Sequence, residues 1–345
     1  MTTDTPPLQA EELARLSLAE YGARVILEQL EKARKHEPGT REGRDPEELH
    51  KMRVATRRMR VACAVFEEPL AQAGVIDLPV AQVKEVADAL GAVRDMDVFV
   101  TWLDDQACGY PAESVETTAL ARLRAERLGR REAARERMIE TLAGPAMDAL
   151  GPELAARLEA VAAPPFHVPG ADVKKKDQVA RAGRRLLERA RRRLRKRGRE
   201  LFAPTSAELH EVRIAAKRFR YVCEFLRPAF ESRGTQIDAA IQRATAIQDA
   251  LGELHDAEVA EAALLDDVVR AGYEGESRDA AALAALVKAQ RARREAALLR
   301  FREEWDQLPK RKWLKKPAAS DDEKAETNDD DDGTDCDDHD ERQSA

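Results

Sequence analysis

Aromatic residues are scarce, at 4% of the chain, and the alternating apolar pattern of β-strands is almost absent. What remains is rich in Ala, Leu, Arg and Glu, the profile of long helices with heavily charged outer faces. No stretch of about eighteen uncharged apolar residues occurs, which excludes a helical membrane span. No apolar run follows Met1-Thr2-Thr3-Asp4 either, so a secretory leader is not expected and a cytoplasmic location is. The four cysteines, Cys63, Cys108, Cys223 and Cys336, lack CxxC spacing and are too few to staple a chain this long. They fit a reducing compartment, with all but Cys336 expected in the core.

The formal net charge of −7 hides a division of labour. Residues 320–345 carry thirteen Asp or Glu against two basic residues, a local balance of −11, so the remainder is −7 + 11 = +4. Within that remainder, residues 174–227 hold nineteen Lys or Arg and six Asp or Glu, giving +13. A region so basic points to an anionic partner.

The chain also repeats itself. At an offset of 160, Glu48-Leu49-His50-Lys51-Met52-Arg53 aligns with Glu208-Leu209-His210-Glu211-Val212-Arg213. The match runs on, with Ala55, Arg57, Arg58, Arg60 and Cys63 opposite Ala215, Lys217, Arg218, Arg220 and Cys223, and Pro69 and Pro228 expected to end the two segments. Arg24 to Glu28 matches Arg184 to Glu188 at the same offset; Ala89-Leu90-Gly91 with Asp95 matches Ala250-Leu251-Gly252 with Asp256 at 161. Arg130 to Ala134 recurs as Arg293 to Ala297 at 163.

Prolines and helical periodicity predict an all-α protein of two four-helix halves. Helices are expected near 11–36, 46–73, 79–108 and 114–148, then near 178–201, 206–232, 235–271 and 277–307. The first half spans 11–162, a Pro- and Gly-bearing linker 163–177, the second half 178–308, and a basic then acidic tail, expected to be disordered from Ser320, covers 309–345.

With His50 as zero and about 100° per residue, Arg57 lies near −20°, Arg53 near −60° and Arg60 near −80°, all on one side of their helix. Met52, Ala55, Met59, Ala62, Cys63 and Phe66 fall on the opposite, core-facing side, copied by Val212, Ala215, Phe219, Val222, Cys223 and Leu226. Arginine donates paired hydrogen bonds to phosphate oxygens, so a row of guanidinium groups at helical pitch suits a chain of phosphates. Charged stripes are ordinarily solvated and salt-bridged, but solubility does not require His50, Arg53, Arg57 and Arg60 to be matched by His210, Arg213, Lys217 and Arg220. Arg124, Arg127, Arg131 and Arg135 form a further basic stripe, as do Arg184, Arg191 and Arg195. A phosphate chain would drive each histidine towards its protonated form, so binding should tighten at mildly acidic pH. Neither His50 nor His210 has a His or Cys partner one turn away, so no metal site is expected. Asp95, Asp97, Asp256 and Glu258 are expected to hold arginines in place rather than to work as catalytic carboxylates.

The paired Leu-His-x-x-Arg helices, each followed by Ala-Leu-Gly and then Asp, resemble the CHAD family of histidine-containing α-helical domains over roughly residues 11–308. The resemblance implies two four-helix-bundle subdomains from an internal duplication, pseudo-two-fold symmetry and a basic central cavity. It also implies non-catalytic binding of inorganic polyphosphate, with polyphosphate granules as a location and no cofactor. Carried over by position, the contacting residues would be His50, Arg53, Arg57, Arg60, His210, Arg213, Lys217 and Arg220. Arg24, Arg184, Arg124, Arg127, Arg131 and Arg294 form a wider set. The second half departs at His255 and Glu258, where the first has Arg94 and Asp97. Many family members carry a triphosphatase barrel with a Glu-x-Glu-x-Lys motif, whereas the nearest string here, Glu274-Gly275-Glu276-Ser277-Arg278, ends in Arg and sits in a Gly-rich turn.

Nucleic acid is the second-ranked partner, because phosphate contacts alone do not separate the polymers. The stripes carry no Trp for base stacking, and the nearby aromatics, Phe219 and Tyr221, belong to one half. A phosphate-ester hydrolase ranks third, since no nucleophile or dense carboxylate cluster faces the stripes. The acidic tail is read first as a solubilising segment and second as a competitor for the basic surface.

Overall fold

Capping residues set where the helices begin. The computed structural model describes residues 13, 16–74, 78–162, 178–199, 201, 204–230, 233–309 and 313–314. Ser17 opens α1 (Leu18–Glu42) with a reciprocal capping box, its Oγ accepting from the Glu20 amide at 3.2 Å while Glu20 accepts from the Ser17 amide at 2.7 Å. Asp45 and Pro46 start α2 (Pro46–Gln72), and Ser114 caps α4 (Val115–Leu142). Between them runs α3 (Val80–Ala107). A four-residue turn, α5 (Pro145–Asp148), and α6 (Pro152–Ala162) follow. The chain continues as α7 (Val179–Arg197), α8 (Ser206–Leu226) with a Thr205–Glu208 capping box, α9 (Gly234–Tyr273) and α10 (Ser277–Asp306). No strand occurs among the described residues beyond one isolated bridge between Ser17 and Gln178.

Three boundaries differ from the sequence reading, each for a local reason. Helix α1 does not stop near residue 36 but passes through Pro38 and ends at Gly43, whose φ of 74° reverses the chain. The hydroxyl of buried Thr40 donates to the His36 carbonyl at 2.8 Å within that turn. Pro69 likewise sits inside the last turn of α2, whereas Pro228 does stop α8, which ends at Leu226 and turns into a short 3-10 segment, Arg227–Ala229. The expected long helix to 148 breaks at Gly144-Pro145. The linker at 163–177 and the acidic tail, with Cys336, lie outside the described residues.

Residues up to Pro309 form one compact unit; of the second unit, from Lys310, only Trp313 and Leu314 are described. In the first unit α1 packs on α2 and α6, α3 on α4, α8 on α7 and α9, and α9 on α10. Met52, Ala55, Met59, Ala62, Cys63 and Phe66 of α2 are all buried, as are Val212, Phe219, Val222, Cys223 and Leu226 of α8. Side chains of this size contribute about 1.5–3 kcal/mol each when fully buried. Ala215 is the exception. It is half-buried and Ala216 takes the core position, as Thr56 does in α2, where its hydroxyl donates to the Met52 carbonyl at 3.0 Å. Burial pushes the Cys63 thiol up to about 12 and raises that of Cys223 too, while Cys108 lies on the surface rather than in the core.

Two contacts join distant parts of the unit and decide where α2 and α8 lie. One is direct: α2 touches α8, Arg58 of α2 pairs with Glu224 of α8, and the Tyr21 hydroxyl of α1 donates to the Phe225 carbonyl. The other is an apolar cluster in which Leu103 of α3 and Leu120 and Leu123 of α4 meet Leu264 of α9 and Leu283, Leu286 and Val287 of α10. The helices between these two anchorages are held in fixed register.

A candidate anion-binding site between two equivalent helices

The apolar faces of α2 and α8 are committed to the core, so their basic faces emerge beside one another. Lys217 of α8 shows how close they come. Burial, the guanidinium of Arg213 on its own helix and those of Arg57 and Arg53 on α2 push its ammonium down to about 7, with Asp95 of α3 opposing. Arg53 has its own charged form disfavoured by burial, with Arg57 and Arg94 adding to the effect and Asp95, 3.1 Å from its Nη2, opposing it. His50 is likewise pushed below the ordinary histidine range by burial and by Arg94, Arg53 and Arg57, against Glu47.

The carboxylates facing this cluster are too few to neutralise it. Besides Asp95, Asp88 lies 3.4 Å from Arg60, and Glu224 is shared between Arg58 and Arg220, 2.9 Å from the latter. Several polar atoms are buried with no hydrogen-bond partner among the described residues: His50 Nδ1, the Nε atoms of Arg57, Arg213 and Arg220, and Tyr221 Oη. Buried donors without partners are rare in folded proteins. Here they cluster beside crowded cations, and arginine N–H groups donate well to anionic oxygens.

The glycines of the two Ala-Leu-Gly segments face this site in the same way. A β-carbon on Gly91 would lie 3.8 Å from Arg53 Nε, and one on Gly252 would lie 3.5 Å from Arg213 Nη2. Each glycine therefore lies directly beside its arginine, at a distance where a β-carbon would make an ordinary contact. His210 is exposed and its ring centroid lies 6.0 Å from that of His255, so the second half sets two imidazoles where the first sets His50 and Arg94.

The wider basic set is placed differently. Arg24 donates to the Ala162 carbonyl at 2.7 Å. Arg124 pairs with Asp104 at 2.6 Å, Arg131 with Asp97 at 2.5 Å and Arg294 with Glu261 at 3.4 Å. Arg127 is buried, its guanidinium 5.2 Å from the Phe99 ring centroid. Arg184 is exposed on α7, close enough to Arg233 to disfavour that residue's charge. Thus Arg53, Arg57, Arg213, Lys217 and His50 share one field, while most of the others are held in contacts elsewhere in the fold. Asp95 and Asp97 do hold arginines, as expected; Glu258 instead accepts from the Ser206 hydroxyl at 2.6 Å.

Two residues named in the sequence reading, Arg94 and Tyr221, were not assigned to the site there. Arg94 lies about one turn beyond Gly91 on α3 and acts on both His50 and Arg53. Tyr221 sits one turn beyond Lys217, near 20° on the same wheel, so its position on the basic stripe was available from spacing alone. Its burial was not.

Among the described residues the chain is all-helical, with a crowded cationic cluster between two equivalent helices. Residues 24–265 match the CHAD domain family, and the chain belongs to that family. Among solved structures it is similar to the CHAD domain from the plant Ricinus communis, with 26% identity and a TM-score of 0.64 over 88% of this chain and 97% of that one. It shares its fold with PptA from Streptomyces chartreusis, at 17% identity and a TM-score of 0.60, covering 84% of this chain and all of the other. No curated protein matches it.

Proposed function

We propose that this protein binds inorganic polyphosphate, without catalysis, in a basic central channel between two four-helix halves related by a pseudo-two-fold duplication. Binding in this way would carry the protein to cytoplasmic polyphosphate granules. The observation that carries the reading is that cations of both helices share one buried neighbourhood: Lys217, depressed first by burial, also feels Arg213 on its own helix and Arg57 and Arg53 on α2. A linear polyanion relieves that repulsion along its length, and its oxygens accept from the orphaned arginine Nε atoms. Membership of the CHAD family supports the choice of polyphosphate among phosphate polymers.

Nucleic acid is less well supported. Base stacking needs exposed aromatic faces, whereas the aromatic ring in this cluster, Tyr221, is buried beneath arginine side chains. Hydrolysis is less supported again, because Asp88, Asp95 and Glu224 are each paired with arginine.

Competition between long-chain polyphosphate and duplex or single-stranded DNA at physiological salt tests the reading. Polyphosphate should win for the natural protein and lose most of its affinity when His50, Arg53, His210 and Arg213 are changed together to Ala. Preference for DNA, or unchanged polyphosphate affinity in the fourfold variant, overturns it.

A further inference from the structure

We propose that the Tyr221 hydroxyl is a phosphate-oxygen donor which, with Arg57 and Arg220, forms one phosphate subsite that has no counterpart in the first half of the chain. The inference rests on the polyphosphate reading and goes beyond the basic residues that the repeat reveals.

Tyr221 follows His210 and Lys217 along the basic stripe of α8. The residue at the same place on α2, 160 positions earlier, is Val61, so any role for a phenol here is one-sided. The side chain is 1% exposed and its Oη has no hydrogen-bond partner among the described residues. An orphaned buried hydroxyl costs stability, so a folded protein retains one where something else uses it.

The surroundings indicate what that is. Guanidinium carbons of Arg220, Arg58 and Arg57 lie 4.6, 5.3 and 5.7 Å from the ring centroid, and Phe225 stacks beside it at 6.1 Å. The ring is therefore fixed by cation–π and aromatic contacts that leave its hydroxyl unengaged. A charge on that oxygen would act favourably on Arg53, which places the hydroxyl end towards the cationic cluster. The Nε atoms of Arg57 and Arg220 are orphaned as well. One neutral O–H and two N–H donors, each without an acceptor among the described residues, thus belong to side chains that meet at one ring.

Flexible arginine side chains pack over the ring. A phosphate that draws Arg57 and Arg220 towards itself uncovers the hydroxyl, which then donates to one of its oxygens while the guanidinium groups balance its charge. Glu224, bound to Arg220 and Arg58, holds those arginines while the subsite is empty.

Tyr221→Phe tests this, because it keeps the ring and its arginine contacts and removes only the hydroxyl. Without ligand the variant should melt at the same temperature as the natural protein or higher. Its affinity for tripolyphosphate and for long-chain polyphosphate should fall about tenfold, the scale of a hydrogen bond to a charged group. The slope of log affinity against log salt should not change, because a neutral donor releases no counterions. Equal affinity overturns the proposal while leaving polyphosphate binding intact. A lower melting temperature without ligand, or an altered salt slope, overturns it by making the hydroxyl a structural or arginine-positioning group. Failure of the natural protein to bind either polyphosphate overturns both this inference and the reading beneath it.

Discussion

Raising the pH from 7 to 9 should weaken polyphosphate binding through one amine. Lys217 of the empty cluster is held down to about 7 by burial and by Arg213, Arg57 and Arg53, against Asp95. A polyanion supplies the opposite sign of charge and returns the ammonium towards the ordinary lysine value of about 10.4. Half of the empty molecules carry the proton at pH 7 and about one in a hundred at pH 9, so full restoration makes binding about fiftyfold weaker at pH 9. Partial restoration gives proportionately less, and tenfold is the working expectation for a half-buried side chain. This window lies above the range in which histidines ordinarily titrate. Calorimetry at pH 8 in buffers of different ionisation enthalpy should register proton uptake, about 0.9 per site for full restoration and about 0.6 for the tenfold case. Lys217→Met should bind more weakly at pH 7 but lose this dependence, and Lys217→Arg should bind well at both pH values. The stability of the empty protein runs the other way. Between about 7 and the ordinary lysine value the unfolded chain holds more protons than the folded one, so stability should rise with pH across that interval and Lys217→Met should flatten the rise. No proton uptake at pH 8, or the same pH profile in Lys217→Met as in the natural protein, would refute the reasoning.

Glycine substitutions separate packing from binding. Gly252→Ala places a β-carbon at an ordinary contact of 3.5 Å from Arg213 Nη2, so chemical denaturation should show a gain of up to about 1 kcal/mol from helix propensity with affinity retained; Gly252→Leu should displace Arg213 and weaken polyphosphate binding. Gly22→Ala sets a β-carbon 2.6 Å from Cγ of buried Phe66, and urea unfolding should show a loss of about 1–3 kcal/mol, because α1 and α2 must move apart.

The basic stripes of the sequence look alike on a helical wheel, yet they meet different fates. His50, Arg53 and Arg57 on α2 approach Arg213 and Lys217 on α8 with few carboxylates to neutralise them. Arg124, Arg131 and Arg294 meet Asp104, Asp97 and Glu261 instead. Spacing shows which face of a helix a residue occupies, not which helix lies opposite, so it did not separate the two groups. Proline read in isolation misled for a related reason. Pro38 and Pro69 lie close to the C-terminal ends of their helices, so each removes one hydrogen bond near an end rather than in mid-helix.

Local chemistry, carried in the chain itself, determined that this protein is helical, that His50 to Cys63 and His210 to Cys223 are copies, and that each copy has one apolar and one cationic edge. Those properties depend on residues within a few turns of each other. Tertiary packing decided that the two cationic edges share one field, that Arg94 joins them, and that the hydroxyl of Tyr221 is buried without a partner. Charge crowding and burial depend on groups brought together from distant helices, and those distances exist only once the chain has folded.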